Sequence, residues 1–331
     1  MKDVFDVLKV PKDEGEKKLQ EVKTRGILDP NRKIEHDSGF LFIPVIKGGN
    51  TGSYELEKRE GQKTPFDKVV DDVEIDDKLI PLLPSRWEAI GDVLLIKLDE
   101  PLIQYKGEVG RAYAETLDMK TVLLQGRISG KKREPKTEII YGRDTETVHT
   151  ENAIKYKMDV AKVMFSSGNV DERIRMGGLD VQGEIVVDMF SGIGYFSLPL
   201  AVYGRALDIH SLEINPTAYH YLQENVHINN VEDVVHPWLG DNRDFSLEQN
   251  ADRVVMGYLH DTHKYLPKAL EFLGGRGMIH YHSLCKDIEY PQKLDDEIKG
   301  SIDLDCSVSQ HKIIKSYAPH IYHTVTDIRV G

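Results

Sequence analysis

The chain has 331 residues, room for two or three domains of ordinary size. Hydrophobic residues make up 40% and charged residues 30%, which excludes a disordered chain. A formal net charge of -12 argues against a generic basic nucleic-acid binder, while leaving room for a local phosphate-contacting patch. The apolar runs are strand-sized, such as Val93-Leu94-Leu95-Ile96, and fall short of the roughly 18–20 residues a membrane helix needs. The N-terminal stretch has no apolar h-region, so neither a membrane segment nor a signal peptide is expected. Cys285 and Cys306 make no CxxC pair and no disulfide framework, and read as reduced thiols of a cytoplasmic protein.

Residues 1–47 read as a small α/β unit, in which Asp13 can cap a helix carrying Leu19 and Val22 and residues 41–46 form a strand. A Gly/Asn/Ser-rich run from Lys47 and the polar stretch behind it mark a linker over 48–67. Residues 68–150 read as an α+β domain, with short β-type runs at 91–98, 121–124 and 138–142 and a helix over 105–118. Between the last two runs lies the densest basic cluster of an acidic chain. Its Lys131, Lys132 and Arg133 read either as a solvated hairpin loop or as a loop that contacts RNA phosphates. From 151 to 331 strand and helix patterns alternate. Strands are expected at 185–188, 209–214, 234–239, 253–256 and 277–282, with helices over 195–203 and 215–229. That pattern predicts a doubly wound sheet. Residues 307–317 and 321–330 predict a terminal β-hairpin, completing an α/β, class I methyltransferase-like Rossmann domain.

The candidate site begins at the strand-to-helix turn Asp188-Met189-Phe190-Ser191-Gly192-Ile193-Gly194. Gly192 and Gly194 let the backbone pass close to a ligand, and the helix behind them presents free N–H groups. A tight structural turn would use the same glycines. The Lys-Ser/Thr of a phosphate loop is absent, which excludes an NTPase. Glu213 ends the second strand, where a carboxylate can accept both ribose hydroxyls of an adenosine. Asp241 and Asn242 follow the third strand, where they can read the adenine amino edge. Each alone is an ordinary surface group; at the ends of consecutive strands they converge on one crevice. A nicotinamide enzyme would need a third glycine where Ser197 stands, so S-adenosylmethionine is the expected ligand. The pairs His260/His263 and His280/His282 have plausible metal-ligand spacing in isolation. The acids near them and their end-of-strand positions favour ordinary polar roles, and no metal is expected. Tyr219, Tyr221 and Tyr265 can stack a flipped base, or pack half-buried.

Two segments carry a resemblance. Val163-Met164-Phe165-Ser166-Ser167-Gly168-Asn169-Val170-Asp171-Glu172-Arg173-Ile174-Arg175-Met176 precedes the first strand, and Met256-Gly257-Tyr258-Leu259-His260 follows the fourth. Together they resemble the wybutosine-synthesis branch of a tRNA-modifying family, the 3-amino-3-carboxypropyltransferases. The related tRNA guanine-N1-methyltransferases have Phe-Ser-Pro-Arg-Leu at the first place and Asn-Leu-Pro or Asn-Pro-Pro at the second. The resemblance covers the C-terminal domain well, the middle domain loosely and the N-terminal unit weakly. It implies transfer of the aminocarboxypropyl group of S-adenosylmethionine to C7 of 4-demethylwyosine, at position 37 in the anticodon loop of phenylalanine tRNA, with methylthioadenosine released. Asp188, Gly192 and Gly194 of the turn are expected to bind the cofactor, and the resemblance also implies that Glu213 holds the ribose and that Asp241 and Asn242 hold the adenine. Ser166 and Arg173 would hold the methionine part, Arg173 as a bidentate fork on its carboxylate. Without the resemblance, Arg173 reads as part of a solvated helix face. No residue is an obvious general base, and deprotonation of the acceptor falls to Glu172 or to nothing beyond water. No DNA, membrane or obligate protein partner is implied. The alternative reading is a tRNA guanine-N1-methyltransferase at position 37. A module that only docks RNA would have no need of the intact Gly192/Gly194, Glu213 and Asp241-Asn242 set.

Overall fold

The computed structural model describes residues 4–29, 32–46, 56–60, 63–126, 137–302 and 305–331. They belong to two units, Met1–Asp72 and Val73–Gly331. In the first, a four-stranded antiparallel sheet runs in the order β2-β3-β1-β4, with β1 Val4–Pro11, β2 Glu35–His36, β3 Phe40–Pro44 and β4 Leu56–Glu60. Leu8 and Val10, two apart on β1, share a face and close a small core with Ile43, Ile27 and Val22 of helix α1 (Gly15–Thr24).

Two expectations change here. Asp13 does not cap α1: it lies in a 3-10 turn, Lys12–Glu14, and the residue before the helix is Glu14. Glu14 already has helical dihedrals (φ -96°, ψ -5°), so the extended geometry a capping side chain needs is missing. The stretch 48–67 is not a plain linker. β4 pairs antiparallel with β1 from Val4↔Glu60 to Leu8↔Leu56, and helix α2 (Pro65–Asp72) begins inside it. Leu-Glu-Lys-Arg-Glu has little strand propensity of its own; pairing with β1 makes it a strand.

The second unit opens on a sheet ordered β5-β6-β7-β8: Glu88–Ile90, Val93–Ile96, Thr121–Gln125 and Thr137–Tyr141. β6 and β7 are parallel, and helix α3 (Lys106–Leu117) makes the crossover, burying Val109, Ala112 and Tyr113. Lys131, Lys132 and Arg133 lie outside the described residues. A hairpin follows, β9 (Glu146–Glu151) and β10 (Ile154–Asp159). It straddles the division expected at 150/151, and its Ile154, Tyr156 and Met158 share one apolar core with Val186, Ile209 and Leu222 further on.

The large sheet has seven strands in the order β13-β12-β11-β14-β15-β17-β16. The strands β11 (Ile185–Asp188), β12 (Asp208–Glu213), β13 (Val235–Leu239), β14 (Arg253–Met256) and β15 (Gly277–Lys286) are parallel. β17 (Ile321–Val330) is antiparallel to β15 and pairs with β16 (Cys306–Ala318) as the terminal hairpin. Every residue of β11 is buried because both faces are covered. Val186 joins the core under α4 (Val170–Gly177), α5 (Ser197–Pro199) and α6 (Pro216–Ile228), while Val187 joins the core under α7 (Leu266–Leu273) and α8 (Gln292–Ser301). The helix expected over 195–203 is shorter than foreseen: α5 widens into a π-helical turn, Leu200–Gly204, behind Pro199, which has no N–H to give. No helix among the described residues is long and apolar enough to cross a membrane.

Candidate active site

The ends of β11, β12, β13 and β14 surround a cavity of about 460 Å³, within the range of small-molecule sites. Gly192 forms part of its wall at φ 57°, and a Cβ there would lie 2.5 Å from the Tyr195 ring. Gly194 faces inward instead, with Leu198 and Leu222 around it, and is not part of the wall. The N–H groups of Gly194 and Tyr195 both donate to the Ser191 carbonyl, at 2.8 and 3.2 Å, so the turn consumes donors that the sequence left open to a ligand.

Glu213 is where the sequence puts it. Its Oε2 accepts the Gly192 N–H at 2.8 Å and its Oε1 the Asn215 N–H at 2.6 Å. Burial pushes its carboxyl up, and the N–H groups of Asn215, Gly192 and Ile214 oppose that shift. Asn242 donates from Nδ2 to the Met189 carbonyl at 3.0 Å, while its Oδ1 is buried with no hydrogen-bond partner among the described residues. An orphan acceptor in the wall fits the amino group of an adenine. Asp241 also lines the cavity, but Arg243 grips it: Nε at 2.8 Å on Oδ1, with Nη2 on Oδ2, holds the carboxyl below the usual range. Lone pairs remain on both oxygens.

Asp188 does not reach the cavity. It is wholly buried beneath the loop, where Oδ2 accepts from Ser197 Oγ at 2.8 Å and Oδ1 from the Phe190 N–H at 3.3 Å. Ser211 Oγ donates onward to Ser197 Oγ at 2.8 Å. Ser197, standing where a dinucleotide loop would have glycine, is thus a strut. Burial pushes the Asp188 carboxyl up to about 7.

Two charged residues are corrected. Arg173 lines the cavity, but its fork is taken: Nε and Nη2 each lie 2.6 Å from Glu151, and Nη1 donates to the Ser166 carbonyl at 3.0 Å. The β9–β10 hairpin, unseen in the sequence, brings that carboxylate. Glu172 points away from the cavity, fully buried, with Arg175 bridging it at 2.9 and 2.7 Å, so it does not touch a substrate directly. Ser166 does line the wall, its Oγ accepting from Lys315 Nζ at 2.7 Å.

Opposite the loop, Gly257, Tyr258 and Leu259 close the wall. A Cβ on Gly257 would lie 2.9 Å from the Phe196 ring. Phe190 stacks on Tyr258 at 5.0 Å and meets Tyr265 edge-on at 5.1 Å, so Tyr265 borders the cavity. Tyr221 is a core residue bonded to Glu146 at 2.9 Å, and Tyr219 is not part of the wall. His282 and His323, both buried, complete the lining. The period-two spacing of His280 and His282 on one strand hinted at the first; nothing local marked His323. Among the described residues, no group of three or more His, Cys, Asp or Glu is placed to hold a metal ion.

Sheet order and crevice define a class I methyltransferase-like domain with a nucleoside-sized site. Residues 147–308 match the TRM5/TYW2 methyltransferase domain, residues 70–145 the TYW2 N-terminal domain and residues 8–50 the tRNA methyltransferase 5 N-terminal domain. The chain is 46% identical, over 78% of its length and 93% of the relative's, to the tRNA(Phe) (4-demethylwyosine(37)-C(7)) aminocarboxypropyltransferase of Pyrococcus horikoshii. It is 35% identical to the tRNA (guanine(37)-N(1))-methyltransferase Trm5b of Pyrococcus abyssi, over 98% of both chains. The crystal structure of P. horikoshii TYW2 in complex with MeSAdo superposes with a TM-score of 0.72 at 43% identity, covering 80% of this chain and 97% of that one. The chain belongs to the TRM5/TYW2 family.

Asp188 makes stability fall with pH. Its ordinary value is 3.8 and its folded value about 7, so between them the folded state holds a proton that the unfolded chain has lost. Stability is highest below that window and declines as pH rises through it. Asp188→Asn, which does not ionise, is expected to flatten the decline, as urea midpoints at pH 5 and pH 8 will show. Arg173→Ala leaves Glu151 nearly buried without its partner, and is expected to cost about 3–5 kcal/mol in urea unfolding. An unchanged stability with lost ligand affinity would return Arg173 to direct contact.

Proposed function

We propose that this chain transfers the 3-amino-3-carboxypropyl group of S-adenosylmethionine to C7 of 4-demethylwyosine at position 37 of phenylalanine tRNA. The observation that carries the reading is the 46% identity with the P. horikoshii aminocarboxypropyltransferase across 93% of that protein. A cavity wall with glycine at 257 agrees with it.

The sulfonium of S-adenosylmethionine activates all three carbons attached to it. The protein chooses among them by fixing which one lies in line with the nucleophile, and positioning supplies much of the rate. We assign the ribose hydroxyls to Glu213, already oriented by two backbone N–H groups. The adenine amino group goes to Asn242 Oδ1, with Asp241 beside it, and the backbone at Gly192 makes the close approach. The methionine arm runs along Ser166 and Asn169, a segment stiffened from behind by Arg173 through its bond to the Ser166 carbonyl. Phe190, Tyr258 and Tyr265 offer faces for a tricyclic base lifted out of the anticodon loop.

The partner is tRNA; DNA, a membrane and an obligate protein partner have no place in this reading. A cytoplasmic setting suits the free thiols of Cys285 and Cys306. A second reading, guanine-N1 methylation at position 37, is favoured by one observation: the Trm5b relative aligns with 98% of the chain, N-terminal unit included.

S-adenosylmethionine labelled separately in the methyl group and the carboxyl carbon separates the two. With tRNA carrying 4-demethylwyosine, carboxyl label is expected in the RNA and methylthioadenosine in solution. Methyl label entering tRNA with guanine at position 37 would establish the methyltransferase instead. Replacing Lys131, Lys132 and Arg133 together by alanine is expected to weaken tRNA binding and reduce the slope of log K against log salt. An unaltered slope, read by fluorescence anisotropy, would leave the loop as a solvated hairpin.

A further inference from the structure

The aromatic surface of the cavity does not stop at its wall. Tyr258, which lines the cavity and stacks on Phe190, meets His260 edge-on at 6.1 Å, and His260 meets Tyr317 edge-on at 6.4 Å. His260 is exposed and Tyr317 is 42% exposed, and neither belongs to the wall. β16, the edge strand of the large sheet, carries Tyr317 to this place. Two residues earlier, Lys315 pairs in register with the wall residue His323 and donates to Ser166 Oγ, so the end of β16 runs along the rim of the cavity.

At Tyr317 the strand departs from its ladder. Ser316 pairs with Tyr322 and Ala318 with Ile321, which leaves Tyr317 as the extra residue of a β-bulge. A bulge disrupts the ladder and re-aims a side chain, and bulges gather at sheet edges and beside active sites. The ring re-aimed here packs into neither core of the large sheet. An edge-on contact covers one face of one ring, so the pair keeps ring faces that neither covers. The cations beside the wall are engaged: Arg173 with Glu151, Arg243 with Asp241, Lys264 with Asp261 and Lys315 with Ser166. This rim therefore offers an RNA loop stacking more than phosphate contact.

We propose that His260 and Tyr317 form a stacking subsite at the rim for an unpaired RNA base adjacent in sequence to the base that enters the cavity. The proposal rests on the tRNA part of the reading above and holds whichever group is transferred. Lifting one base out of a loop strips its neighbours of a stacking partner, at a cost in free energy. The neighbour then finds an aromatic face joined to the wall through Tyr258. Every base has a π-face, so the subsite supplies affinity without reading sequence. A neighbour held at the rim also fixes the backbone on one side of the target nucleotide, and with it the way the target base faces the donor. His260 and Tyr317 bind the RNA and take no part in making or breaking bonds.

Tyr317→Ala is expected to weaken tRNA binding at least about five-fold, the lower end of what an aromatic face contributes per stacked base. Tyr317→Phe and Tyr317→Trp should bind as the parent does. The slope of log K against log salt should be the same in all four proteins, since no phosphate contact is lost. The Kd for S-adenosylmethionine should not move, because Tyr317 stands outside the wall. Transfer RNA lacking the base on the 5′ or the 3′ side of position 37 locates the contact. One of these abasic sites is expected to cost the parent a similar factor, and to cost Tyr317→Ala nothing further. Unchanged affinity of Tyr317→Ala, a loss that Tyr317→Phe shares, an altered salt slope, or abasic costs equal in parent and variant overturns the subsite. Should Tyr317→Ala fail to fold, His260→Ala takes its place in the same cycle. If the parent binds no tRNA, the tRNA reading has failed, and the subsite falls with it.

Discussion

The site depends on the register of four parallel strands. Asp188 sits beside Ser211, Glu213 beside Leu239 and Met256 beside Tyr281, so β11, β12, β13 and β14 end near one edge of the sheet. A shift of one residue in any of them would turn its buried side chains to the opposite core and its terminal polar residue away from the crevice. Val186 and Val187, adjacent in sequence and packed into different cores, show how tightly that register is held. Asn225 adds a lateral tie. It donates to the carbonyls of Lys157 and Ile193 and accepts the Lys157 N–H, joining β10, the glycine loop and α6 through one buried amide.

Charge near the cavity is paired before any ligand arrives. Glu151 holds Arg173, Arg243 holds Asp241 and Arg175 holds Glu172. Arg243 and Arg175 pair within their own turn and helix, whereas Arg173, nearly buried, draws its partner from the separate β9–β10 hairpin, because a buried ion left alone would be costly. What the wall then offers is mostly backbone, amide, ring faces and two oriented carboxylates, Glu213 and Asp241. Such groups need little rearrangement when a ligand enters, which lowers the cost of binding.

Much of the large domain was legible in the sequence because its signals are local. Ile-Val-Val-Asp reads as a doubly covered strand, the spacing of Ala218, Leu222 and Val226 reads as a helix face, and the Gly-x-Gly turn, Glu213 and Asn242 fall at strand ends. What escaped depends on partners distant in the chain. The role of Arg173 turned on Glu151 in a hairpin with weak local signals, and Asp188 on Ser197 and Ser211. β4 becomes a strand through pairing with β1, and His323 joins the wall because β17 returns beside β15. In each case the sequence showed the residue type and hid the neighbour.

Behind His282 and His323, polar groups continue in an unbroken line. Glu172 binds Arg175, Arg175 binds Asp327, Asp327 binds His280, His280 meets Arg253, and Arg253 forks onto Glu184. Signs alternate along it, with the neutral ring as a joint. Exchanging any one member for an apolar residue strands a neighbour of opposite sign in a medium that screens poorly. A single apolar exchange in this group is therefore costly, although its members come from five separate stretches of the chain. Their contributions to stability are coupled, so the cost of losing one depends on which of the others are still in place.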